Sequence, residues 1–158
     1  MMFKKIRNLF RVIDIDLWIY VMNTTNLNDF PKLNFTVESE VVSTTKRRFF
    51  IKVGTTIIHE SFLYERLFVL RILRKNGPAI GDCRTIDSYK GQSIYPFVIH
   101  HIAYEEIQKN QRKEVFIAVH PSNISSIKGI EKAGFQRYAQ IKAKRFLFFH
   151  FQVKTVKN

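Results

Sequence analysis

The sequence predicts a single mixed α/β domain across residues 1–158: a twisted, mostly antiparallel sheet with a central parallel β-α-β unit and helices on both faces. A chain of 158 residues with 46% hydrophobic content can bury a substantial core. Fifteen Phe and six Tyr suit a packed sheet. Apolar runs at 79–86 and 115–119 flank a segment of helical periodicity, and a crossover of that length joins parallel strands.

The first half of the chain predicts strands separated by short turns. Residues 23–46 are rich in Asn, Thr and Ser and predict loops with one short helix. We expect 54–56 to form a turn and 75–78 (KNGP) to form a hairpin-type turn before the strand at 79–86. The remaining apolar runs predict further strands over 48–53, 57–64 and 66–73.

The second half predicts two helices and the end of the sheet. Apolar residues recur at helical spacing from Ile94 to near Asn110, and Pro96 is tolerated in the first turn. The run 115–119 lacks alternation, as expected for a strand covered on both faces. Ser122 or Asn123 can cap a short helix that ends at Gly134. One or two strands follow, and 145–151 is the most strand-like segment.

Composition limits the cellular setting and the partners. A single cysteine excludes an internal disulfide and fits a cytoplasmic protein. The net charge of +13 attracts polyanions, but no helix-turn-helix, zinc or RNP-type motif favours nucleic acid. The N-terminus carries a basic amphipathic pattern that predicts a helix packed on the core or in peripheral contact with a membrane; its apolar stripe is Phe3, Ile6, Phe10, Ile13 and Leu17.

Two motifs bracket the predicted parallel unit. Residues 89–94 (YKGQSI) form a short glycine turn with a lysine that opens directly into the helix, where backbone N–H groups and the helix dipole favour an anion. Asn123 and the run 131–135 (EKAGF) follow the second strand. In this order the motifs resemble the acetyl-CoA-binding half of the GNAT acetyltransferase superfamily, over about residues 77–137. The chain departs from the family's loop pattern at three positions: Ser88 stands at the leading Gln/Arg position, Lys90 replaces the usual arginine and Ser93 replaces the final glycine.

The resemblance implies acetyl-CoA as co-substrate and no metal. The acyl-pantetheine would lie between the splayed parallel strands, with one backbone N–H polarising the thioester carbonyl. Cys83 would lie along the same strand. The residues that the resemblance assigns to the cofactor are Arg84, Thr85, Ile86, Lys90, Gly91, Gln92, Ser93, Ile94, Asn123 and Ser126.

By resemblance the reaction is direct attack of an amine on the thioester. Glu60 and Asp82 are the leading bases, because the family's base commonly lies on these strands, where burial would also raise the pKa of a carboxylate; His59 and His120 are alternatives. The family's usual proton donor is a tyrosine where this chain has Ile130. Tyr95 or Ser126 could replace it, the thiolate could leave unaided, or the chain could be catalytically impaired. A covalent role for Cys83 is disfavoured because no His is adjacent.

The acceptor is the least constrained part of the prediction. The strand and loop at 80–96 look similar to small bacterial proteins of surface-polysaccharide synthesis, which favours an amino-sugar or nucleotide-sugar. A protein or peptide amine, a CoA-binding protein without turnover and a basic nucleic-acid-binding module remain alternatives. An exposed aromatic C-terminal strand could support a homodimer. The cations expected around an anionic acceptor are Arg47, Arg48, Arg66, Arg71, Lys142 and Arg145.

Overall fold

A computed structural model describes residues 12–146 and 149–157. Eight strands form one sheet in the order β2-β3-β4-β5-β6-β1-β7-β8. The strands are β1 (Ile13–Asn23), β2 (Glu38–Ser43), β3 (Lys46–Val53), β4 (Thr56–Tyr64), β5 (Ala79–Thr85), β6 (Glu114–Val119), β7 (Gln136–Phe146) and β8 (Phe149–Lys157). The helices are α1 (Ile94–Tyr104), which continues as a π-helical turn (Glu105–Lys109), α2 (Ile124–Lys132), and two 3-10 turns (Phe68–Leu73 and Asp87–Tyr89).

The parallel β-α-β unit expected from the sequence is present, and its two strands soon diverge. β5 and β6 pair in parallel at only two positions, Ala79 with Phe116 and Ile80 with Ile117. Beyond Ile80 the backbone of β5 keeps its antiparallel partner β4 but loses β6. Asp82 adopts a left-handed backbone conformation, φ 49°, at an irregularity in this strand. The result is a split in the sheet that begins at Gly81.

The strand β1 lies inside the sheet, antiparallel to both β6 and β7. The helical interpretation of the N-terminal stripe is therefore wrong from Ile13 onward. Apolar side chains occupy both the odd and the even positions of 17–22, which is the pattern of a strand buried on both faces. The rest of that stripe, on which the alternative of a membrane contact depends, lies outside the described residues.

Two hydrophobic clusters cover the two faces of the sheet. On the face that we call the helix face, Tyr20, Met22 and Ile117 pack against α1 and α2. On the opposite face, Ile19, Val21 and Phe116 pack against the 3-10 turn Phe68–Leu73. The mixed α/β fold is confirmed, although both α-helices lie on one face.

Three local predictions in the first half are wrong. Residues 68–73 form a 3-10 turn, because the buried positions Val69, Leu70 and Leu73 follow a helical spacing that a short apolar run shares with a strand. Residues 75–78 therefore connect that turn to β5 and do not form a hairpin. The short helix expected within 23–46 is absent from this described segment, which contains loops and the exposed edge strand β2.

A buried ion-pair network fixes the end of α1. Glu106, in the π-helical turn, is 1% exposed and pairs with Arg47 of β3. It also accepts a hydrogen bond from Asn110 Nδ2 at 2.8 Å and lies 3.7 Å from Arg112 Nε. Among the helices within 12–146, none is long and apolar enough to cross a membrane.

Candidate active site

A cavity of about 390 Å³ lies on the helix face beside the split. Its walls come from the end of β5, the turn before α1 and the exposed side of α2. Of the residues that the sequence assigns to this region, those that line the cavity are Cys83, Thr85, Lys90, Gly91, Ser93, Ile94, Tyr95 and Ser126. The structure thus brings the two sequence motifs to one site.

The turn before α1 presents backbone donors to this cavity. No residue in the described ranges accepts a hydrogen bond from the amides of Gly91, Gln92 or Ser93. The Lys90 amide is already used, since it donates to the Asp87 carbonyl at 3.2 Å. Gly91 has φ +79° and open space where a Cβ would lie, so an anion could approach the backbone closely.

The second wall of the cavity is a polar stripe of α2 that sequence reasoning missed. Its members are Ser125, Lys128, Gly129 and Lys132. They lie at i, i+3, i+4 and i+7, and that spacing on a capped helix was the available signal. Lys132 Nζ donates to Ser93 Oγ at 2.7 Å and so links the end of α2 to the first turn of α1. Two lysines therefore face the free amides.

Tyr95 crosses from α1 to α2 and packs directly on Gly129. A Cβ at position 129 would lie 2.5 Å from one ring carbon of Tyr95, so glycine is required for this contact. Burial raises the pKa of Tyr95 well above its ordinary value of 10, with a smaller opposing effect from a hydrogen bond with Ser126. The phenol is therefore protonated at neutral pH, next to Cys83.

A buried polar chain continues from this wall into the sheet. Thr85 Oγ1 lies 2.7 Å from His59 Nδ1, and His59 Nε2 lies 2.8 Å from Ser61 Oγ. Burial lowers the pKa of His59 from 6.5 to about 4, against a smaller opposing effect of the Glu60 charge. Burial also raises the pKa of the Cys83 thiol to about 12. His59 is thus neutral and Cys83 is not a thiolate, which argues against a covalent role for Cys83.

The two carboxylates expected as bases lie in different surroundings, and neither is buried. Glu60 is held by Arg48, which donates to its Oε2 from Nη2 at 2.6 Å and from Nε at 3.1 Å. Asp82 is exposed, lies two residues beyond the last β5–β6 pair and accepts a hydrogen bond from the Tyr64 hydroxyl. The premise that burial strengthens these bases is therefore wrong, and only Asp82 lies at the split.

The other residues assigned to the cofactor lie around the cavity without lining it. Arg84 and Ile86 border a smaller cavity of about 220 Å³ together with Glu60. Gln92 Nε2 donates to the Ser88 carbonyl at 3.4 Å. Asn123 is the N-cap of α2, where its Oδ1 accepts from the Ser126 amide at 3.2 Å.

The expected acceptor cations do not form one cluster. Arg47 pairs with Glu106, whereas Arg48 bridges Glu60 and Glu40 on β3's neighbouring strands. Lys142 lies 3.6 Å from Asp16. Arg145 and the alternative base His120 border a separate cavity on the opposite face.

Comparison with solved structures identifies the fold. An acetyltransferase of the GNAT family from Colwellia psychrerythraea superposes with a TM-score of 0.54 at 13% identity, covering 80% of this chain and 54% of that protein. A putative GNAT-family acetyltransferase from Novosphingobium aromaticivorans gives a TM-score of 0.60 at 11% identity, covering 94% and 67%. The chain has the GNAT acetyltransferase fold. No protein-family model and no curated protein matches it.

This GNAT fold confirms the resemblance seen in the sequence at the level of architecture. The chain spans about half the length of the Colwellia protein and two thirds of the Novosphingobium protein. Both of these proteins are described as acetyltransferases. Within the described ranges, no group of three or more His, Cys, Asp or Glu side chains could hold a metal ion.

Proposed function

We propose that this GNAT-fold protein is an acetyl-CoA-dependent N-acetyltransferase that acts on a primary amine. The observation that carries the proposal is the meeting, at one cavity, of a split between parallel strands and a helix N-terminus with three amides that have no acceptor among the described residues. The split offers unpaired backbone to an extended chain, and the amides offer donors to phosphates.

The residues present fit the cofactor. The amides of Gly91, Gln92 and Ser93, with Lys128 and Lys132 opposite, would hold the pyrophosphate. The free backbone edge of β5 between Asp82 and Thr85 would pair with the pantetheine arm. Bound there, acetyl-CoA supplies an activated thioester.

Residues of both faces of the sheet would serve the transfer. Asp82 takes a proton from the attacking amine, directly or through water, and a free β5 amide polarises the thioester carbonyl. Tyr95, which is protonated and lines the cavity, gives a proton to the sulfur as the carbon–sulfur bond breaks. Glu60 shapes this region as the partner of Arg48, and His59 holds Thr85 in place.

An amino-sugar is the acceptor that we favour, in a cytoplasmic setting. A protein or peptide amine is the second candidate within the same reaction, and binding of CoA without turnover is the third. An assay of free CoA thiol separates these candidates. An amino-sugar acetyltransferase and a peptide acetyltransferase release CoA thiol, each with its own acceptor, whereas a protein that only binds CoA releases none.

Calorimetry with acetyl-CoA tests the cofactor site, and thiol release with a panel of amino-sugars and peptides tests turnover. We expect micromolar binding that Gly91→Val abolishes, because a β-branched side chain is strained at φ +79° and would block the amides. Gly54→Val is the matched control, since Gly54 has a similar φ of +60° and open space in a turn that does not line the cavity. Absence of acetyl-CoA binding to the folded protein would refute the proposal.

A further inference from the structure

A second cavity meets the split from the opposite face. Ile80 and Ile117 form the last pair of β5 and β6, so Gly81 and Ala118 are the first residues on either side of the split. Ala118 lines a cavity of about 370 Å³ on the opposite face, whereas Cys83 and Thr85 line the first cavity on the helix face. The second cavity therefore reaches the β6 side of the split.

The floor of the second cavity is apolar and carries an aromatic edge. Ile15, Leu17 and Val69 belong to the hydrophobic cluster of the opposite face. Phe68 is 58% exposed there, and its ring stacks with that of His150 at a centroid distance of 6.4 Å and an angle of 24°. Flat aromatic and aliphatic surface of this kind suits the apolar face of a ring or a short carbon chain.

The rim of the second cavity is cationic or donates hydrogen bonds. Arg145 is exposed, and its side chain makes no hydrogen bond or ion pair with any residue of the described ranges. His120 Nδ1 lies 3.2 Å from the Ser122 amide, which can only donate, so the proton of the neutral ring is on Nε2. His120 thereby offers a hydrogen-bond donor at this rim.

The two acids that border this cavity do not neutralise its rim. Asp14 and Asp16 alternate along β1 with Ile13, Ile15 and Leu17, so their side chains point to the helix face. Asp16 confirms this orientation, because it accepts from Gln140 Nε2 at 2.7 Å, and Gln140 alternates with the buried Ala139 and Ile141.

We infer that the second cavity binds the acceptor and selects an amine that also carries an anionic group, a phosphate or a carboxylate, bound by Arg145. This inference rests on the proposed acetyl transfer and adds its substrate class. The anion binds at the rim, the body of the acceptor lies over Phe68 and Val69, and the amine points to Asp82 at the split. Tyr64, whose hydroxyl donates to Asp82, lies on the same face of the sheet as the second cavity. Its ring lies next to Gly81, the first β5 residue of the split, and next to Lys46 of β3.

Matched acceptors and matched variants test the inference. A hexosamine and its phosphate ester differ only in the anion, and a hexosamine carrying a carboxylate separates the two anion types. For the variant Arg145→Gln we expect KM for the anionic acceptors to rise about tenfold or more, since a charge-assisted hydrogen bond is lost. KM for the neutral hexosamine and the Kd of acetyl-CoA should stay unchanged.

The control is Lys144→Gln, which removes an equal charge from the neighbouring position of β7, on the other face of the strand. Lys144→Gln should leave unchanged the KM values for the three hexosamine acceptors and the Kd of acetyl-CoA. Equal effects of the two variants, or an equal effect of Arg145→Gln on charged and neutral acceptors, would overturn the inference.

NMR of the His120 and His150 rings, titrated with the phosphate ester without acetyl-CoA, keeps the test separate from turnover. Shifts in wild type that Arg145→Gln removes support the cavity even if acetyl transfer fails, and unmoved rings refute it.

Discussion

At the scale of single residues, Asp82 and Glu60 lie on adjacent strands but have different partners. Glu60 receives two hydrogen bonds from one guanidinium, whereas Asp82 is exposed and receives one from a phenol. We expect Asp82→Asn to lower kcat by about 10²- to 10⁴-fold, the usual contribution of a general base. Glu60→Gln should act mainly on stability. Steady-state kinetics and thermal melts of both variants check this, and the reverse ranking in kcat would assign the base to Glu60.

His59 makes stability depend on pH. Its pKa falls from 6.5 in the unfolded chain to about 4 in the native protein, so the unfolded chain binds more protons between these values. Stability should therefore fall as the pH drops from 6.5 to about 4, by on the order of 3 kcal/mol, and level off below. Urea titrations of wild type and His59→Gln measure this slope. The exposed His120→Gln is the control, and an unchanged slope in His59→Gln would contradict the burial argument.

At the scale of elements, α1 and α2 meet through Tyr95 and Gly129. In a free helix Gly→Ala is stabilising by about 1 kcal/mol, but here the new methyl would overlap the Tyr95 ring. We expect Gly129→Ala to destabilise wild type by about 1–3 kcal/mol and to lower kcat by moving the phenol. In a Tyr95→Ala background the same change should be neutral or stabilising. A double-mutant cycle measures this coupling, and additive effects would show that the two residues do not interact.

The π-helical turn after α1 depends on the buried Glu106. Glu106→Gln should cost about 3 kcal/mol, because Arg47 would remain partly buried beside a neutral side chain. Glu105→Gln is the matched control, since Glu105 lies 3.5 Å from the same guanidinium but is more exposed, 21% against 2% for the side chains. Chemical denaturation measures the free energy of unfolding of both variants. Equal losses of stability would show that the burial of Glu106 does not determine the strength of its ion pair with Arg47.

The elements also show how far sequence reasoning could reach. Local signals sufficed for α2, because Asn123 and Gly134 mark its ends, and for the glycine turn at Gly91 before α1. The run 66–73 could not be assigned, because its apolar spacing fits a strand and a helical turn equally well. Contacts between distant elements, such as Tyr95 with Gly129 or Thr85 with His59, leave no trace in local periodicity.

At the scale of the whole molecule, charge should govern affinity for the cofactor. The protein carries a net charge of +13, and most of its 13 acidic residues are already engaged in ion pairs, so the excess lysine and arginine charge is available to polyanions. We expect acetyl-CoA affinity to fall several-fold as ionic strength rises from low salt to several times physiological. Calorimetry checks this, with dephospho-CoA as a less charged control that should show a shallower dependence. An equal dependence of the two affinities on ionic strength would argue against binding through the phosphates.

The position of β1 has a consequence for how the chain folds as it is made. β1 leaves the ribosome before either of its partners, since β6 and β7 follow about ninety or more residues later in the chain. Synthesis proceeds at roughly 5–20 residues per second. Both edges of β1 and the apolar faces of residues 17–22 therefore stay uncovered for seconds, until β6 and β7 have been synthesised. The half-synthesised chain thus carries its future central strand exposed, and a chaperone that shields residues 13–23 would act at the step where aggregation is most favoured.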